Sequence, residues 1–190
     1  MAVHLGTTDA ANELLTRDPL ALLVGMLLDQ QIPMEKAFTS PQVLAERLGA
    51  EHLDARTIAE HDPTALEAVF RQPPALHRFP GSMARRTQEL CRALVEHHAS
   101  DAAQVWTPAT SGADLVARIA SLPGFGDQKA RIFTALLAKQ FGVRLDGWER
   151  ATGDYGQDGF RSIADVVDDD SRRAVRAYKK EKKAAAKAAG

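Results

Sequence analysis

The sequence predicts an all-α protein. Three observations carry this: apolar residues recur at helical spacing, start signals such as Asp62-Pro63 punctuate the chain, and no sustained period-2 alternation or internal repeat occurs. The 190 residues are 45% hydrophobic and 26% charged, an ordinary globular composition rather than a disordered one.

The elements follow in order. Thr8 to Thr16 reads as a short amphipathic helix closed before Asp18-Pro19. Pro19 to Gln31 is the most apolar segment, with Leu20, Leu22, Leu23, Val24, Met26, Leu27 and Leu28 leaving little polar face, so it is expected to be central and buried. Ser40-Pro41 gives an N-cap with proline at the first helical position, and Gly49 ends that helix. Asp62-Pro63 repeats the signal, and Pro73-Pro74 stops it. A long helix is predicted over Ser82 to His98 from Leu90, Ala93 and Leu94, and a short one over Asp114 to Ser121. After Leu122-Pro123-Gly124-Phe125-Gly126, a helix over Asp127 to Phe141 presents Ala130, Phe133, Leu136, Leu137 and Phe141 on one face, with Gly142 as its C′ residue. The Gly- and Asp-rich stretch 153–170 is expected to be looped in part, and a polar Ala/Lys-rich helix begins at Ser171.

Composition narrows the function classes. The longest apolar stretch, Leu20 to Leu28, falls far short of the roughly 20 residues a membrane span needs. No charged-then-apolar leader precedes a cleavage site, so a cytoplasmic chain without a membrane partner is expected. The single cysteine, Cys91, leaves no intramolecular disulfide and no cysteine-ligated cluster. His97 and His98 are adjacent and point apart on a helix, so no metal site is expected.

Net charge is −1, but it is unevenly spread. Eight basic residues against Glu181 give +7 over 172–190, which leaves −8 for 1–171. The chain therefore divides by composition into a helical body, 1–170, and a basic extension, 171–190. Within the body, residues 71–92 hold five arginines against Glu89. Lys179, Lys180, Lys182 and Lys183 of the extension are candidates for salt-dependent contact with a polyanion's phosphates, and Arg78, Arg85 and Arg86 belong to a second basic stretch. Solvated surface charge is the competing reading. The acidic stretch 146–170 (net −6) offers the extension an intramolecular partner instead.

The turn Leu122-Pro123-Gly124-Phe125-Gly126 is the most specific local signal. Proline fixes one dihedral, the glycines permit positive φ and close approach, and the helix opening at Asp127 can aim free N–H groups at a phosphate. With Lys129-Ala130 it resembles the helix–hairpin–helix of the HhH-GPD superfamily of DNA base-excision glycosylases, such as endonuclease III and the alkylbase glycosylases. Leu22 to Ile32, which includes Leu27-Leu28-Asp29-Gln30-Gln31, is similar to an early helix of that superfamily, with Ala37 as a small residue beyond it. Gly81-Ser82-Met83-Ala84-Arg85-Arg86 is similar to the helix start that precedes the hairpin, and the stretch that holds Arg78, Arg85 and Arg86 resembles the family segment that faces the DNA backbone, where the lysines of the extension would add to it. Order and spacing agree over residues 18–148.

The resemblance implies a helix–hairpin–helix glycosylase-like fold, double-stranded DNA as partner and, in a monomer, hydrolysis of the N-glycosidic bond of a damaged base. It implies that an aspartate at the twenty-fifth position, counting from Leu122, stabilises the cationic sugar; Asp146 stands there. A buried carboxylate suits an oxocarbenium-like transition state, while a turn aspartate before Gly147 is the plain alternative. The Schiff-base lysine of bifunctional members would fall at the seventh position, which is Gln128, with Lys129 one step on and turned away by roughly 100°. A glycosylase of this sequence is therefore expected to be monofunctional, with Lys129 standing in for the missing nucleophile as the alternative. Gln31 corresponds to a side chain that fills the gap left by a flipped base, Phe79 is a candidate wedge, and Gln128 and Trp148 are candidates for the base pocket, with Phe125 and Tyr155 as further aromatic faces. No cofactor is expected: an iron–sulfur cluster is excluded by the cysteine count, and the hairpin type allows a monovalent cation. A noncatalytic DNA-binding protein of the same fold is the alternative, and a helical protein-interaction module without DNA is a third reading.

Overall fold

A computed structural model describes residues 3–188; the last two residues of the basic extension, 189–190, lie outside the described residues. Among those described there are ten α-helices, three short 3-10 turns and no strand. The all-α expectation holds. The chain forms two compact units, Met1–Pro108 with Ser121–Phe125, and Ala109–Ala120 with Gly126–Gly190.

The first unit is built on α2 (Pro19–Leu28), in which every residue from Leu20 to Leu28 is buried. Asp18 starts it. One carboxylate oxygen accepts from the N–H groups of Leu20 (2.9 Å) and Ala21 (3.1 Å), and the other accepts from Leu53 N–H at 2.8 Å. This N-cap carries about 1 kcal/mol on its own, and the Leu53 bond adds a tertiary anchor. Helix α1 (Asp9–Arg17) precedes it. α2 ends three residues earlier than the pattern predicts, because Gln30 donates its side-chain amide to Leu27 O (2.7 Å) and Gln31 turns into the left-handed region at φ +57°.

Helix α3 (Met34–Arg47) corrects the start predicted at Ser40-Pro41, since Pro41 lies inside it. Met34, Ala37, Phe38, Pro41, Leu44 and Ala45 form a buried stripe that runs straight through the proline. Burying that stripe outweighs the roughly 3 kcal/mol of an interior proline. Phe38 fills the space over Gly25, where a Cβ would lie 2.6 Å from its ring. A helix absent from the sequence reading, α4 (Ala55–Glu60), is capped by the Asp54 side chain. After α5 (Pro63–Arg71), α6 (Pro80–His97) begins two residues earlier than predicted, with Pro80 in its first turn. Buried Gln88 of α6 donates to Ile58 O and His61 O, tying α6 to the end of α4. Burial, with Asp54 and Asp18 adding to it, pushes the Cys91 thiol well up, so it is a core residue rather than a nucleophile.

The second unit holds α7 (Gly112–Ala120), α8 (Asp127–Gln140), α9 (Trp148–Thr152) and α10 (Asp169–Ala188). The end of α8 pins the irregular segment between α9 and α10. Lys139 bonds Asp165 (2.6 Å) and Gln157 O (2.8 Å), and the Gln140 amide donates to Ala164 O and Val166 O. Asp165 also accepts from the N–H groups of Arg161 and Ser162. Lys139→Ala leaves that largely buried carboxylate without its cation and is expected to cost about 2–3 kcal/mol by urea denaturation. A loss under about 0.5 kcal/mol would show that the segment is held without it.

Candidate functional site

The hairpin joins α7 to α8 through Ser121–Gly126. Leu122 and Phe125 are buried, and Phe125 N–H donates to Leu122 O at 3.1 Å to close the turn. Phe125 therefore faces the core and offers no aromatic face to a ligand. Gly124 adopts φ +83°, and a Cβ there would sit 2.3 Å from Leu27 Cδ1. Gly126 differs: its φ is −92°, and a Cβ would meet nothing within 4 Å. The fold thus requires glycine at 124 but not at 126. Gly126 is the N-cap of α8, no side chain caps that end, and the first main-chain bond runs from Ala130 N–H to Gly126 O. An uncapped helix start beside open space suits an anion. Asp127, in the same turn, is engaged by Arg131 Nε at 2.8 Å.

Asp146 and the start of α9 are placed by Gly112. Its N–H donates to Asp146 O (2.9 Å), and a Cβ on it would lie 2.3 Å from Trp148 Cα. Asp146 lines a cavity of about 620 Å³ with Ser111, Val116, Asp127, Arg131 and Arg150. That volume is within the range of small-ligand sites. The sequence chemistry asks for a buried carboxylate, whereas Asp146 is exposed and its carboxylate has no hydrogen-bond or ion-pair partner among the described residues. The reason is local: Gly147, at φ +69°, turns the chain directly after it.

Trp148 is 9% exposed, its backbone rests on Gly112, and it does not line the cavity that holds Asp146. Gln128 lies outside that lining too; it is exposed on α8 and donates to the Tyr155 hydroxyl at 3.0 Å. The structure thus groups Asp146 with Arg131 and Arg150, which sequence reasoning did not single out. The only sequence signal for them is spacing, Arg131 four residues after Asp127 and Arg150 four after Asp146. Lys129 is half-buried.

In the first unit, Gln31 is exposed and Phe79 is 43% exposed, with the Arg78 guanidinium 5.4 Å from its ring centroid. Arg86 donates to the Gln30 side chain at 3.2 Å, and Arg85 pairs loosely with Glu89 at 3.8 Å. In α10, Lys179, Lys180, Lys182 and Lys183 are exposed. Lys182 reaches back to Asp154 at 3.1 Å, a bond that raises the lysine pKa and lowers that of the carboxyl. Among the described residues no helix is long and apolar enough to cross a membrane, and no three His, Cys, Asp or Glu side chains are placed to hold a metal.

Two glycine variants separate fold from ligand. Gly124→Ala is expected to destabilise by about 1–3 kcal/mol, whereas Gly126→Ala costs under about 1 kcal/mol yet weakens DNA binding several-fold. Thermal melts and fluorescence anisotropy read the two effects. Equal melting losses with unchanged DNA binding would contradict the contrast. Gln31→Gly relieves the left-handed strain and is expected to hold or raise stability by up to about 1 kcal/mol while reducing preference for duplexes with a missing base. A clear loss of stability would show that the side chain serves the fold.

The family model for the HhH-GPD superfamily of base excision DNA repair proteins matches residues 24–189. No curated protein matches the chain closely enough to count as a relative. The matched span covers the hairpin, Gln31, Phe79 and Asp146, and the chain belongs to the HhH-GPD superfamily of base excision DNA repair proteins, whose substrate is DNA.

Proposed function

We propose that this protein is a monofunctional DNA glycosylase that acts as a monomer on double-stranded DNA. The observation that carries the reading is Asp146, a residue that lines a cavity of about 620 Å³ and whose carboxylate has no competing partner among the described residues, at the spacing from the hairpin that the resemblance implies. The hairpin backbone and the start of α8 hold a phosphate and fix register without reading sequence. Arg78, Arg85, Arg86 and the exposed lysines of α10 add a salt-dependent attraction.

With the damaged base everted, the C1′–N bond breaks and its electron pair leaves with the base. The sugar becomes cationic, and Asp146 stabilises that charge more than the neutral ground state. Water adds at C1′, its proton passes to the carboxylate or the departing base, and an abasic site remains. The step balances with water as the only co-reactant. Gln128 has no amine to attack C1′, so no Schiff base forms and the strand stays intact.

The exposure of Asp146 favours one other reading, a DNA-binding protein of the same fold that has lost the chemistry, because a solvated carboxylate stabilises a cation less. Incubation with duplexes carrying alkylated, oxidised or deaminated bases decides between them. The glycosylase reading expects abasic sites from at least one lesion, no borohydride-trapped covalent complex, and release lowered about a hundredfold or more by Asp146→Asn. Tight binding without release from any lesion supports the binding protein, and release unaffected by Asp146→Asn overturns the role of Asp146.

A further inference from the structure

The segments that carry Gln31 and Phe79 meet at one buried imidazole. His77 is 1% exposed. Its Nδ1 accepts the main-chain N–H of Phe79 at 3.0 Å, and its Nε2 lies 2.9 Å from Gln30 O. Because Nδ1 is an acceptor, the neutral ring carries its proton on Nε2 and donates it to Gln30 O. A single rigid ring therefore joins the residue before Gln31 to Phe79, across 47 positions of sequence between Gln30 and His77. Around it, the Gln30 side chain is held from both ends, donating to Leu27 O and accepting from Arg86. The Phe79 ring centroid is 6.1 Å from that of His77, with the Arg78 guanidinium near its face. The two supported side chains remain outward, and Gln31 is held at φ +57°, a conformation that persists only where surrounding structure fixes it.

We propose that His77 is a positioning residue: it locks Gln31 and Phe79 into one fixed relation so that both meet duplex DNA at a vacated base position. The inference rests on the reading of this surface as one that meets damaged DNA, and it adds the group that organises it. An imidazole suits the task because it offers one donor and one acceptor on a ring with no internal freedom. Fixing two side chains beforehand removes the ordering cost that binding would otherwise carry.

The test compares binding of the full chain to a duplex with a tetrahydrofuran abasic analogue and to the undamaged duplex. The fluorescence of 2-aminopurine opposite the analogue reports insertion. Phe79→Ala and Gln31→Ala, both at exposed side chains, are expected to lower the preference for the abasic duplex and the fluorescence change. His77→Phe keeps the ring volume and removes both hydrogen bonds. It is expected to lower the preference about tenfold, to keep undamaged-duplex affinity within about twofold, and to add little when combined with Gln31→Ala and Phe79→Ala together. If His77→Phe fails to fold, His77→Gln, which retains a donor for Gln30 but not the fixed ring, is measured by the same criteria. Retained preference in the His77 variant, or equal losses on both duplexes, overturns the positioning role while Gln31→Ala and Phe79→Ala keep their effect. If those two variants change nothing, the DNA-facing reading of the surface fails with it.

Discussion

Leu27 leaves no space for a side chain on Gly124, and this contact joins the hairpin turn to the helix around which the first unit is packed. α2 organises three features along its length. Its first turn is fixed by Asp18, which also captures Leu53; its second half receives Phe38 over Gly25 and the hairpin turn over Leu27; and the chain leaving it brings Gln30 to His77. A helix apolar on all sides has no freedom to rotate towards solvent. Both the turn and the glutamines are consequently tied to a rigid support, which the DNA contacts proposed for them call for.

The second unit meets a different constraint, which is charge. α10 carries Asp169 and Asp170 in its first turn and its lysines towards the far end, the arrangement the helix dipole favours. Asp169 and Asp170, counted with the acidic body, thus share one helix with the basic residues of the extension. Its first half is anchored through Ser171 and Val175, both buried, while residues 179–188 are exposed. Lys182 and Asp154 form one link back to the acidic segment, and at full exposure such a pair gives way readily to phosphate.

Helices with strong periodicity and clear caps were legible from sequence: α2, α5, α6, α7 and α8 all lie where the apolar spacing and the Asp-Pro and Gly signals put them, within a few residues. α3 was not, because Pro41 carries the signature of a helix start and only the buried stripe from Met34 to Ala45 shows otherwise. At the candidate site, the family's spacing from Leu122 singles out Asp146, but its side-chain environment could not be read from sequence. The exposure of Asp146 and the burial of Trp148 depend on the turn at Gly147 and on the backbone packed against Gly112. His77 left no trace in the local pattern, since its role exists only once residues 30 and 79 are neighbours.

The proposed function and the positioning role of His77 both require that DNA contact the hairpin segment and the Gln31–Phe79 surface. A ¹⁵N-resolved NMR titration of the full chain with a duplex carrying an abasic analogue tests it most directly. The largest amide shifts are expected at Gly124, Gly126, Asp127 and Gln128 and at Gln31 and Phe79, and those at the hairpin should survive an increase in salt. Shifts confined to the lysine-rich end of α10 and abolished by salt would contradict the account, because they would reduce DNA binding to nonspecific charge attraction.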